Sequence, residues 1–262
     1  MKSFNQKLEK GDIFQLPVNQ AHPTQFAVGM VAVDCKKREL EKAHANGKLT
    51  EILCMEGHLV PVVIGPGGIL YLTDHHHLSS AIWRAAIPDA DKWVYGYVYE
   101  DWSSKPIDAF WRDMIENNLA WLYDDKGDGP LNPRMLPQHI NDLLNDPYRT
   151  LSRWLRDYGC YTKDILKERK NLICEQGKFL PAGHAKAFFI EFRWANFLRQ
   201  NVKLDLSHAD FSRTCEAMPY SSLYLEHEVE ALKKALAIVV DLIGCHALKE
   251  VTYDPFGCPV KP

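Results

Sequence analysis

The chemically richest stretch of the sequence is Thr73-Asp74-His75-His76-His77-Leu78-Ser79-Ser80-Ala81, where a carboxylate and three imidazoles occupy consecutive positions. Imidazole is the side chain whose ordinary pKa lies nearest neutrality, so these groups can give or take a proton at physiological pH. A carboxylate supplies the hard oxygen that Mg²⁺ prefers, often shared with a phosphate. The tract falls where a strand pattern, Gly68-Ile-Leu-Tyr-Leu72, passes into a helical one from His75 to Ala86 with Leu78, Ile82 and Ala85 on one face. Helix starts attract anions through their amides and dipole. The pattern therefore points to phosphate chemistry, with Asp74, His75 and His76 as catalytic candidates and Asp74 as the metal ligand. A plainer reading stands beside it, because Asp74 is also a good N-cap for a helix starting at His75. Neighbouring side chains on a helix diverge by about 100°, so all three imidazoles cannot meet on one small ligand.

Other constellations are weaker. Cys54 with His58, and Cys245-His246, lack the tight ligand spacing of a zinc site. Gly65-Pro-Gly-Gly68 has no Gly-Lys-Ser/Thr after it and reads as a hairpin turn. Asp124-Asp-Lys-Gly-Asp-Gly129 begins like a calcium loop, but Lys126 replaces a ligand and Met135 stands where the bidentate Glu belongs. It reads as a solvated loop. Arg149, Arg153 and Arg156 fall at i, i+4 and i+7, on one face if that segment is helical. Glu191 and Arg193 lie in an aromatic helix and read most simply as an internal salt bridge or solvated heads. The 18 Trp and Tyr residues are enough to stack on bases, but are explained more simply as core.

Behind these residues the patterning changes near residue 105. Up to that point β signals predominate: Val60–Ile64, Gly68–Leu72 and Trp93–Tyr99, with a charged helix within Val31–Ala45 that ends near Asn46-Gly47. Beyond Pro106 the periodicity is nearly all helical, predicting helices at Ile107–Leu122, Pro137–Leu144, Tyr148–Tyr158, Ala185–Asn201, His208–Ala217 and Glu226–Ile243. Two domains are expected, an α/β unit over 1–105 and a helical C-terminal domain or cap over 106–262. The 46% hydrophobic and 25% charged composition is that of a globular chain, and no apolar run is long enough to span a membrane. The formal charge is −3, split nearly evenly between the two parts, which disfavours wholesale polyanion binding. Only Arg149–Lys170 is locally basic. Seven scattered cysteines, and an N-terminus without the apolar core of a signal peptide, predict reduced thiols and a cytoplasmic location.

The strand, acidic-His-His turn and helix resemble the second signature box of the ParB/sulfiredoxin-like fold. Pro23-Thr24-Gln25 and Val28-Gly29 stand where that fold has its first box. Together with Asp146-Pro-Tyr-Arg-Thr-Leu-Ser-Arg-Trp154 and Phe189-Ile-Glu-Phe-Arg-Trp194, they make the chain resemble the putative ParB-like nuclease family over about residues 10–200. The resemblance implies an α+β fold: a small mixed sheet with helices, followed by a mostly helical part. It also implies nucleotide phosphates held at the helix start, since ParB proteins bind and hydrolyse CTP, sulfiredoxins use ATP and free-serine kinases of this fold transfer a phosphoryl group. Mg²⁺ with ATP, ADP or CTP follows as the expected cofactor, and His77, Ser79, Thr24, Gln25, Arg149 and Arg153 as binding residues. Two departures matter: Gln25 stands where the kinases place a Glu, and the Arg of the second box is replaced by His77 or Leu78. The tract holds no Cys, which excludes sulfiredoxin chemistry.

Three functions follow in order. The first is Mg²⁺-dependent phosphoryl transfer or nucleotide hydrolysis, with a nucleotide and a small-molecule acceptor as partners. The second is a nuclease using the Arg149–Lys170 segment as its track. The third is a ParB-type DNA-binding module, for which the sequence offers no recognisable helix-turn-helix. The charge balance favours the first.

Overall fold

The computed structural model describes residues 2–157, 159–161, 188–206 and 222–243. In chain order these form β1 (Lys2–Ser3), β2 (Ile13–Pro17), β3 (Ala21–Pro23), β4 (Ala27–Val28), α1 (Met30–Ala45), α2 (Leu49–Leu53), β5 (Val60–Ile64), β6 (Leu70–Leu72), α3 (His76–Arg84), β7 (Trp93–Asp101), α4 (Ile107–Glu116), β8 (Leu144–Asn145), α5 (Pro147–Asp157), α6 (Ile190–Asn201) and α7 (Ser222–Ile243). The fold is α+β, as expected. The contacts define two units that interleave in sequence rather than parting at residue 105. One comprises Met1–Val28, Lys36–Leu144 and Asp164–Phe189, the other Gly29–Cys35, Asn145–Lys163 and Ile190–Pro262.

The first unit is built on a six-stranded mixed sheet of order β1-β2-β7-β5-β6-β3. All five residues of β5, Val60-Pro-Val-Val-Ile64, are buried, the unbroken apolar run of a strand covered on both faces. β5 lies parallel to β7 and antiparallel to β6. Pro61 sits inside it despite lacking a donor, and its carbonyl accepts the Thr73 N–H at 3.0 Å. Gly67 and Gly68, at φ 75° and 79°, turn the chain between β5 and β6, so the expected hairpin is present. On the sheet, Tyr71 meets Phe110 and Trp111 of α4 at ring-centroid distances of 4.9 and 5.3 Å. That packing keeps α4 with the sheet and accounts for the absence of a boundary at 105.

The second unit packs α5, α6, α7 and the opening of α1 around Val31, Leu151, Trp154, Leu198, Leu232 and Leu236. Burying each such side chain contributes about 1.5–3 kcal/mol.

Several expected elements differ in extent. The helix from Ile107 stops at Glu116, not Leu122, because Asn118 adopts a left-handed conformation (φ 55°). The Leu119 and Asn118 amides then turn back to the Met114 and Ile115 carbonyls at 2.7 and 3.0 Å, a Schellman closure. Pro137–Leu144 is not a helix. It holds one 3-10 turn at Ile140–Asp142, and the Leu144 N–H is drawn instead to the Phe26 carbonyl at 2.9 Å. Eight residues propagate an α-helix poorly without tertiary help. The helix expected at His208–Ala217, the Cys245-His246 pair and the basic residues from Lys163 to Lys170 lie outside the described residues. The reduced thiols expected of the sequence are corrected at three positions, since Cys35, Cys54 and Cys160 are disulfide-bonded.

Candidate functional site

The tract leaves the end of β6 as a tight turn. Thr73 is fully buried and continues the pairing to Pro61, its hydroxyl also donating to that carbonyl at 3.4 Å. His75 then takes a left-handed conformation (φ 62°), uncommon for a residue with a side chain, and α3 begins one residue later than expected, at His76. The capping role expected of Asp74 is thereby altered. His75 occupies the N-cap position, and Asp74 Oδ1 accepts the His75 N–H at 2.7 Å. The first ladder bond of α3 runs from the Ser79 N–H to the His75 carbonyl at 3.0 Å.

The three imidazoles part company, as helical geometry requires. His76 is buried, and its Nε2 accepts the backbone N–H of Thr24 at 3.1 Å, which fixes an unprotonated Nε2 facing the protein. Thr24 in turn donates its hydroxyl to the Leu72 carbonyl at 2.5 Å. The ring of Phe189 lies 6.5 Å from that of His76. Asp74, His75 and His77 are half-exposed. The turn thus presents a carboxylate and two imidazoles at the start of a nine-residue helix, where the dipole adds partial positive charge.

The remaining expected binding residues are placed differently. Ser79 is buried on the inner side of α3, its hydroxyl without a hydrogen-bond partner among the described residues. Gln25 is buried and donates its side-chain amide to the Ala27 carbonyl at 2.6 Å. Arg149 and Arg153 belong to the second unit. Arg149 is buried 3.7 Å from Glu191 and over the ring of Phe192. Burial there pulls its guanidinium pKa down, which Glu191 partly offsets. Arg153 pairs with Asp157 at 2.7 Å; burial opposes its charge, but Asp157 together with Glu191 and Tyr161 outweighs it and its pKa is raised. Arg156 also bonds to Glu191, so the arginine face of α5 is met by internal carboxylates. Within the same unit Asp146 is buried against Arg199 at 2.8 Å, and desolvation pushes its pKa up to about 6.

Among the described residues no group of three or more His, Cys, Asp or Glu side chains is gathered to hold a metal ion. Asp74 is the carboxylate of the turn. One such ligand suits Mg²⁺ only when phosphate oxygens and water complete its shell. The 124–129 loop is closed by its own Asp124, whose Oδ1 accepts the amides of Lys126 and Asp128 at 2.8 and 2.9 Å.

A feature without any sequence motif lies in the first unit. A cavity of about 300 Å³ is lined by His22 of β3, Tyr71 of β6, Trp111 of α4 and the exposed Arg134 and Gln138. His22 and Tyr71 are register partners on adjacent strands, their rings 5.8 Å apart, and His139 lies 6.5 Å from His22. Burial, helped by His139, holds the His22 imidazole below its ordinary pKa, and burial raises that of the Tyr71 phenol. Both strands have three residues, too few to show a period that would have marked these side chains.

A six-stranded mixed sheet with a polar turn feeding a short helix defines a ParB-like domain. The family profile described as putative ParB-like nuclease matches residues 14–171, and the chain belongs to that family. Among solved structures it is similar to the crystal structure of protein Atu1540 from Agrobacterium tumefaciens. The two are 28% identical with a TM-score of 0.56, over 87% of this chain and 94% of that one. No curated protein matches the chain. Among the described residues no helix is long and apolar enough to cross a membrane.

Proposed function

We propose that the Asp74–His77 turn is a phosphate-ester site at which this ParB-like protein carries out Mg²⁺-dependent phosphoryl transfer or nucleotide hydrolysis. The observation that carries this reading is the left-handed His75, which sets Asp74 and His75 together at the opening of α3. Strained backbone of this kind is concentrated at functional sites. Asp74 would hold the ion, which neutralises charge on the phosphate oxygens when bound. His75 or His77 would move the proton of the attacking hydroxyl or water, and the first turn of α3 would orient the phosphate. His76 positions the turn through Thr24 and takes no direct part, which narrows the catalytic candidates. The burial of Arg149 against Glu191 and the pairing of Arg153 with Asp157 along α5 favour cation and helix-dipole neutralisation over an arginine clamp from α5.

The family description favours a second reading, cleavage of phosphodiester bonds in nucleic acid. The net charge of −3 favours the small substrate. The test follows phosphate release from ATP, CTP and GTP with Mg²⁺ beside cleavage of single- and double-stranded DNA and RNA, using the full chain and its Asp74→Ala and His75→Ala variants. Nucleotide turnover that falls at least a hundredfold in both folded variants is the expected result. Cleavage of nucleic acid without nucleotide turnover replaces the first reading by the second. Turnover that survives both substitutions overturns the site.

A further inference from the structure

We propose that the cavity bounded by β3, β6, α4 and the 133–138 segment binds a small aromatic monocarboxylic acid, its carboxylate held by Arg134 and its ring set against Tyr71 and Trp111. The site is independent of the phosphate reading of the Asp74–His77 turn, none of whose residues lines it.

The walls decide the class of ligand. The apolar side of the cavity is made by Ile107, Leu136 and three proline rings, and among the described residues no Asp or Glu lines it. Of its polar groups, the Trp111 indole and the Arg134 guanidinium can only donate hydrogen bonds. Tyr71 and Trp111 are each 8% exposed, yet the Tyr71 hydroxyl and the Trp111 N–H are open to solvent and make no hydrogen bond among the described residues. Apolar walls with donors, and no acid to repel an anion, suit an apolar body that ends in acceptor oxygens.

Arg134 supplies the charge. Its partner Asp108 lies 3.1 Å away, and the two side chains are 65% and 89% exposed. Exposed pairs of this kind contribute little, so Asp108 gives up Arg134 to a ligand at small cost. Only Nη2 is engaged by Asp108, which leaves the guanidinium further donors in the fork geometry that matches two carboxylate oxygens. A single cation, already partly neutralised, suits a monoanion rather than a dianionic phosphate. His22 adds an imidazole held neutral by burial and by His139, able to donate one N–H without bearing charge.

The rings favour an aromatic body over an aliphatic one. Tyr71 meets Phe110 at 39° and Trp111 at 77°, a tilted array that a further ring extends by the same edge-to-face contacts. A volume of about 300 Å³ lies at the small end of ligand pockets and accommodates a single ring with its acid group.

The experiment titrates the full chain by calorimetry with benzoate, then with its neutral isostere benzamide, and repeats the benzoate titration in excess inorganic phosphate. Benzoate binds, benzamide binds at least tenfold more weakly, and phosphate does not displace benzoate. Arg134→Gln removes the charge from an exposed side chain and weakens benzoate at least tenfold. Asp108→Asn releases Arg134 and tightens benzoate about two- to fivefold, a gain that damage to the fold cannot imitate. Tyr71→Phe weakens it about three- to tenfold, and Asp74→Ala leaves it within twofold. Absence of benzoate binding, equal binding of benzamide, or indifference to Arg134→Gln overturns the proposal. Displacement by phosphate, or loss of binding in Asp74→Ala, places the anion at the turn and overturns it as well.

Discussion

Within the tract, adjacent histidines take opposite parts because a helix start sends them in different directions. His76 is buried as the acceptor for the Thr24 N–H, and His75 is half-buried on a left-handed backbone. Replacing His76 by Phe keeps the bulk but leaves a buried amide unpaired. We expect a loss of about 1–3 kcal/mol, read as a lowered midpoint of urea unfolding. His75→Gly relaxes the left-handed conformation, so stability should stay within about 1 kcal/mol of the parent. Phosphate-ester turnover should nevertheless collapse, because the imidazole is gone. A His75→Gly chain that retains full turnover assigns His75 to the turn's shape alone.

Among elements, the opening of α1 depends on a close approach. A Cβ added at Gly29 would lie 2.3 Å from Thr150 Oγ1 and 2.7 Å from the Thr150 backbone nitrogen. Gly29→Ala should therefore cost about 1–3 kcal/mol, seen as a reduced melting temperature. Buried Asp146 sets a pH dependence in the same unit. Its folded pKa, about 6, is raised above the unfolded carboxylate value, so its contribution is fully present below about pH 4 and declines as pH rises to about 6. The Asp146→Asn variant should gain on the parent by up to roughly 3 kcal/mol between pH 4 and pH 7, measured by urea unfolding at both. Elements were legible in the sequence where a period had room to repeat, as at Val60–Ile64 and in the long helices. β1, β3 and β4, at two or three residues, were not. The acidic-His tract was legible as chemistry, but not the φ reversal at His75 nor the inward turn of His76. Nor were the pairings of Gln25, which folds back on the Ala27 carbonyl two residues on, and of Arg149, whose partner Glu191 lies on another helix.

For the whole chain, a modest negative charge and seven cysteines give two further tests. Disulfides consume cysteines in pairs, so three bonded positions imply at least four bonded cysteines. Thiol titration of the denatured, unreduced chain should then count no more than three free groups, rising to seven after reduction; a count of seven without reduction refutes the bonded state. Binding to nucleic acid, where it occurs, should weaken little between 50 and 200 mM salt if few phosphates are neutralised. A drop of a thousandfold would reveal a basic track and favour the nuclease reading.

The bond from Thr24 to His76, with that from Thr24 to Leu72, has a consequence for time as well as place. The start of α3 is thereby tied through Thr24 to the end of β6, so the ordering of the Asp74–His77 turn is completed during folding rather than when a ligand arrives. Ligand binding then forfeits little conformational entropy at the turn. The Thr24 amide should accordingly exchange its proton only when the entire first unit opens, among the slowest of the chain.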